Sequence, residues 1–163
     1  IWACENSDQF KLALSVFKEM KSIGIQRIVK TYDGLISVAE KTKNWEEAID
    51  LFHEMTSEGL IGSTEAYNSC IWAAEQGGIH DISLNMLDDM EKNNITRSLA
   101  TYAACAYSCE KAGEGEKALH VMELMKAEGY ELDTPVYKAT IWACVKVLDY
   151  CNIFFRILAI LFF

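Results

Sequence analysis

Between Trp45 and Met55 the apolar residues Trp45, Ala48, Ile49, Leu51, Phe52 and Met55 recur at helical intervals, while Glu46, Glu47, Asp50 and Glu54 fill the gaps. That spacing gathers the apolar set on one stripe and the charges on the other side, so it predicts an amphipathic helix. Asn44 followed by Glu47 predicts an N-terminal cap with a reciprocal carboxylate, and Gly59 suits the left-handed residue that closes the helix. A preceding helical segment runs from about Lys30 to Lys41, which gives a helix, short turn, helix unit. Thr134 before Pro135 places a cap residue ahead of Pro at the first position of a later helix.

The same pattern returns with a fixed period. Tyr32, Tyr67, Tyr102 and Tyr137 are separated by 35 residues each, and Ile1-Trp2-Ala3-Cys4 reappears in the same phase as Ile141-Trp142-Ala143-Cys144. With Tyr at the fourth position, complete units occupy 29–63, 64–98 and 99–133, flanked by partial units at 1–28 and 134–148. The eleventh position (Cys4, Ala39, Ala74, Cys109, Cys144) and the twentieth (Ala13, Ala48, Ser83, Ala118) are always small, which lets helix backbones approach closely. The thirty-first reads Gly24, Gly59, Asn94 and Gly129. Units of this size cannot bury an apolar face alone, so the period predicts an all-α fold, an α-solenoid of helix-turn-helix repeats packed neighbour on neighbour.

One Pro and nine Gly, with 51% apolar residues, argue against a flexible linker and for one continuous array over 1–148. Residues 149–163 break the pattern: Ile153 to Phe163 is apolar except for Arg156. This run is shorter than the roughly 20 residues that span a bilayer, so we expect a buried or aberrant end and no membrane partner. The chain starts at Ile1, part-way through a unit, which reads as a fragment without a targeting segment.

Six Cys and three His include no Cys-x-x-Cys pair, so neither a zinc site nor a disulfide framework is expected. Cys105 and Cys109, one helical turn apart, read as buried small apolar residues. His53, His80 and His120 fall at three different repeat positions, and no phosphate loop, nucleophile elbow or His-Glu-x-x-His motif occurs. We therefore expect no catalytic site, cofactor or small-molecule substrate in these residues. Trp2, Trp72, Tyr107 and Trp142 share the ninth position, and the fixed helical phase favours packing between units over a role as base platforms.

The net charge is -9, with an excess of four acidic residues in each complete unit. This is not the basic footprint usual for nucleic-acid binding, and it keeps a protein-interaction scaffold open as a second reading.

The 35-residue period, the fourth-position Tyr, and the segment Trp45 to Met55 followed by Gly59 resemble the pentatricopeptide repeat family over residues 1 to about 148. Tetratricopeptide repeats have a period of about 34 and would drift out of this register. The resemblance implies a concave groove lined by the first helices, where single-stranded RNA lies at about one base per unit. In that family the fifth and last residues of a unit choose the base. Here they are Asp33 with Ser63, Asn68 with Ser98, Ala103 with Asp133, and Lys138 in the incomplete unit. Asn68 with Ser98 matches a pair associated with cytosine. A basic thirteenth residue near the phosphates is carried over to Lys41, Lys111 and Lys146, while Gln76 departs from it. The resemblance also implies work on transcripts in a mitochondrion or plastid, in processing, editing, stability or translation. In protein-only RNase P, such repeats guide an attached catalytic domain.

Overall fold

In the computed structural model, residues 9–131 and 134–146 are described; Asp133, the ninth-position Trp2 and the apolar tail 149–163 lie outside them. Among the described residues eight helices follow in order: α1 Phe10–Ser22, α2 Val29–Lys41, α3 Trp45–Ser57, α4 Thr64–Gly77, α5 His80–Lys92, α6 Leu99–Ala112, α7 Gly115–Ala127 and α8 Thr134–Lys146. Every first helix (α2, α4, α6, α8) opens at the first position of its unit, and every second helix (α1, α3, α5, α7) at the seventeenth. The sequence period is thus a structural period with no slippage. The fold is the expected all-α solenoid of helix-turn-helix units.

The helices form where the apolar stripes lie. α3 buries Ala48, Ile49, Leu51, Phe52 and Met55 against α2, which buries Tyr32, Leu35, Ile36, Val38 and Ala39. The predicted closing turns are present. Gly24, Gly59, Asn94 and Gly129 all take positive φ, and the following N–H donates back into the last turn, as from Leu60 to the Met55 carbonyl at 3.2 Å. Capping differs from the expectation. The Asn44 amide donates to the Thr42 hydroxyl at 2.6 Å and makes no bond to the start of α3, because its φ of -90° and ψ of 65° turn it away from the extended cap conformation. Side-chain caps occur on the first helices: Ser63 accepts from the Ala66 N–H, and Ser98 forms a capping box with Thr101. α8 begins at Thr134 itself, so Pro135 sits inside the first turn, where its missing N–H costs no helical bond.

Successive first helices pack side by side, α2 on α4, α4 on α6 and α6 on α8. Among the described helices α3, α5 and α7 are each wedged between two first helices, α1 packs on α2, and no second helix packs its backbone against another. A row that touches along its whole length follows the shorter arc, so the first helices line the inner side of the solenoid. Close approach depends on the small columns: Ala39, Ala74, Cys109, Ala48, Ser83 and Ala118 are all fully buried. Gly115 shows how tight the contact is, since a Cβ there would lie 2.9 Å from the Cys144 backbone. The cysteines serve this packing. Cys105 Sγ donates to the Ser83 carbonyl at 3.5 Å, and burial pushes the Cys109 thiol up to about 12.

On the outer side, neighbouring units are joined by polar clasps. Arg27 reaches across to Glu54 and Glu58, and its guanidinium carbon lies 5.1 Å from the Phe17 ring centroid. Arg97 repeats the arrangement with Glu91, Glu128 and the ring of Tyr102. The intervening unit has Gly62 where its two neighbours have Arg27 and Arg97. A Cβ at Gly62 would meet the Phe52 ring at 2.8 Å, and the facing residue is Asn93, whose amide donates to the Tyr67 hydroxyl at 3.3 Å. No helix among the described residues is long and apolar enough to cross a membrane.

Candidate nucleic-acid interface

At 100° per residue, the fourth, seventh, eighth and eleventh positions of a first helix share one side, and all four are buried in α2, α4 and α6, as is the adjoining tenth. The second, fifth, ninth, twelfth and thirteenth fall on the opposite side. None of them is fully buried in these helices. Lined up along the inner row, they form five parallel columns facing the groove.

The fifth-position column includes the best-defined polar site. Thr101 Oγ1 lies 2.6 Å from Asn68 Oδ1, and the same hydroxyl oxygen accepts the Ser98 N–H at 3.0 Å while Ser98 Oγ accepts the Thr101 N–H at 3.3 Å. With two backbone N–H groups already pointing at this pair of hydroxyls, the one Thr101 hydrogen is directed to Asn68 Oδ1. That turns the amide carbonyl inward and presents the NH₂ group to the groove. Asn68 and Ser98 are therefore brought together through Thr101, a fully buried residue that the reading by repeat position missed. The usual capping-box signature has Glu or Gln at the third helical position, so Thr101 in that place gave no such signal in the sequence.

In the preceding unit Asp33 accepts a hydrogen bond from the Ser63 side chain, so this pair also meets. Asp33 Oδ1 is buried without a partner. Burial, and then Glu65, raise its carboxyl above the ordinary value, against the Ser63 hydrogen bond and Lys30. Both Ser63 and Ser98 are helix caps, so their hydroxyls do structural duty beside any recognition. Ala103 is partly buried and brings no polar atom, Lys138 is exposed, and Asp133 lies outside the described residues.

The thirteenth-position column forms a ladder rather than a row of open cations. Gln76 donates to Glu40 at 3.1 Å, Lys111 pairs with the Glu75 carboxylate at 2.8 Å, and Lys146 donates to the Glu110 carbonyl at 2.6 Å. Each contact reaches back 36 residues, from one thirteenth position to the twelfth of the preceding unit. The bonds to Glu75 and Glu110 carbonyls place a cation at the C-terminus of the neighbouring first helix, where the macrodipole favours it. Lys111 and Lys146 therefore hold neighbouring units together, and Lys111 neutralises the Glu75 carboxylate. Burial raises the Glu40 carboxyl, with Lys41 and Gln76 opposing it.

The ninth-position aromatics lie at the centre of this exposed side. Trp72 and Tyr107 rest on the core at one edge, are partly exposed, and have ring centroids 6.5 Å apart at 33°. Trp142 is 50% exposed. The expectation of packing fits the fourth-position Tyr32, Tyr67 and Tyr102, which are buried, and it fits Trp72 and Tyr107 where they touch the core and each other across units; the remaining ring surface at the ninth position faces the groove, because that position sits on the opposite side of the helix.

The chain matches a family model described as the pentacotripeptide-repeat region of PRORP over residues 1–159. No curated protein sequence matches it. Among solved structures, the PPR domain of Arabidopsis thaliana protein-only RNase P 1 (PRORP1) in complex with tRNA superposes with a TM-score of 0.82 at 16% identity, covering 97% of this chain and 83% of that one. Nuclear proteinaceous RNase P 2 (PRORP2) of A. thaliana gives 0.78 at 19% identity over 85% of this chain, which spans 32% of that one. The pentatricopeptide repeat protein PPR10 from maize gives 0.70 at 22% identity over 98% of this chain and 22% of its own. Identities this low carry the fold. With the unbroken 35-residue register and the model match over nearly the whole chain, this protein belongs to the pentatricopeptide repeat family, in the group defined by the repeat region of PRORP.

Proposed function

We propose that this chain is a single-stranded RNA-binding module, which reads unpaired bases with polar side chains on its inner face. The observation that carries this reading is the Asn68 site. Its carbonyl is tied back by Thr101, leaving two N–H donors aimed at the groove, a donor set suited to the N3 and O2 acceptors of cytosine. Asp33 offers the opposite polarity one unit earlier, an acceptor for base N–H groups. The tRNA held by the repeat domain of PRORP1, at a TM-score of 0.82, supports the use of this fold on RNA.

In this reading the module binds and positions, and any chemistry in a longer protein belongs to a separate domain. Its setting is a compartment that processes transcripts, a mitochondrion or plastid or, as PRORP2 is described, the nucleus. Short RNAs that differ at one base provide the test, with affinity measured for the wild type, Asn68→Ala and Thr101→Val. Both substitutions should reduce discrimination between bases by about 1 kcal/mol, the lower end for a directional base contact. Unchanged discrimination in Asn68→Ala would remove the assignment. A protein partner recovered in place of any RNA would favour the scaffold reading of the same groove, which the acidic units support.

A further inference from the structure

We propose that the ninth-position aromatics Trp72, Tyr107 and Trp142 form a stacking track for unpaired bases, which holds RNA where the polar readers and the cations do not. The proposal deepens the RNA reading above and rests on it. Position nine is the midpoint of the exposed side of each first helix, with the fifth position on one flank and the thirteenth on the other. Three successive first helices place an aromatic ring there, and the first of these rings already lies beside the second at 6.5 Å. Ser37 occupies the same position in the preceding unit, so the track begins at Trp72 among the described residues. A ring required only for packing has its place on the opposite side of the helix, where Tyr32, Tyr67 and Tyr102 are at most 2% exposed.

The surroundings favour a base as the occupant. In the unit that holds Tyr107, the second and fifth positions are Ala100 and Ala103, which leave the flank of the ring low and carry no side-chain donor or acceptor. A base there cannot be read by its edge, but its face has an aromatic surface to lie against. The charge balance points the same way. Lys111 is paired with Glu75 and Lys146 with the Glu110 carbonyl, and each complete unit has four more acidic than basic residues, so attraction for phosphate is weak. The uncharged base faces are the part of a single strand that such a groove can hold strongly, and stacking tolerates every base.

The test measures binding of short single-stranded RNA to the whole chain by tryptophan fluorescence, with unmodified oligonucleotides and oligonucleotides containing abasic sites. RNA should quench the tryptophan emission. Tyr107→Leu and Trp142→Leu should each lower affinity by roughly 5- to 150-fold for all base sequences alike, with the salt dependence unchanged. Tyr107→Phe should bind as the wild type does. An abasic site should cost the wild type a similar factor and cost the Leu variants less, and this comparison within the wild type needs no substitution to fold. If the wild type binds intact and abasic RNA equally, or the Leu variants with unaltered melting bind normally, the stacking track is wrong while the RNA reading stands. If the wild type binds no RNA and instead takes up a polypeptide, both readings fall.

Discussion

At the scale of single residues, Asn68 and Asp33 differ in what their surroundings let them do. Asn68 has its acceptor satisfied and its donors free, whereas Asp33 has a buried oxygen with no partner and a carboxyl raised by burial. A raised carboxyl means that the folded chain holds the proton more tightly than the unfolded one. Stability is therefore highest with Asp33 protonated, and falls as pH rises from the unfolded value, about 4, through the raised folded value. Asp33→Asn should raise Tm by about 1–3 °C at neutral pH, since the site is only partly buried. The gain should vanish as pH falls below about 4, and thermal melts across that range provide the check. The same variant should lose preference for bases with N–H donors. The positions of both residues were legible from repeat phase, but their polarity was not. Thr101, distant in sequence from Asn68, fixes the amide, and no pattern within one unit could indicate that pairing.

At the scale of helices and turns, the apolar stripes and the small columns located the elements within a residue or two. The errors are at the ends. Asn44 and Glu47 have cap spacing, yet Thr42 offers the Asn44 amide a nearer hydroxyl, and a local hydrogen bond of that kind competes directly with the cap. The turns also contain one mismatch that points to a stabilising change. After the first helices, the left-handed residue is Gly78 and Gly113 in two units but Lys43 in the other, at φ 60°. An exposed side chain gains nothing in that conformation and is strained by its Cβ. Lys43→Gly should stabilise the fold by about 0.5–1 kcal/mol, measured by denaturant unfolding, with the RNA affinity unchanged because the residue lies outside the groove columns.

At the scale of the whole molecule, stability lies between units, in the shared core and in the clasps of the outer side. Arg97 is almost buried and ties Glu91, on the preceding second helix, to Glu128 at the C-terminal cap of the following one, while lying over Tyr102. Arg97→Met should cost about 1–3 kcal/mol, since it leaves Glu128 without its charged partner while keeping apolar bulk. Introducing Glu128→Gln into that variant should recover part of the loss, a coupling that a double-mutant cycle would show and that independent surface charges would not. The ladder from thirteenth to twelfth positions acts on the inner side in the same way. By itself the sequence determined the unit, its length, its two helices, its small contact columns and its family, because each of these is a periodic demand that every repeat states anew. Tertiary structure alone decided what the groove offers: which amide group is turned outward, and that Lys111 and Lys146 are bound to neighbouring units. Those are contacts between units, made by residues 33 or 36 positions apart, and they depend on how one unit lies against the next.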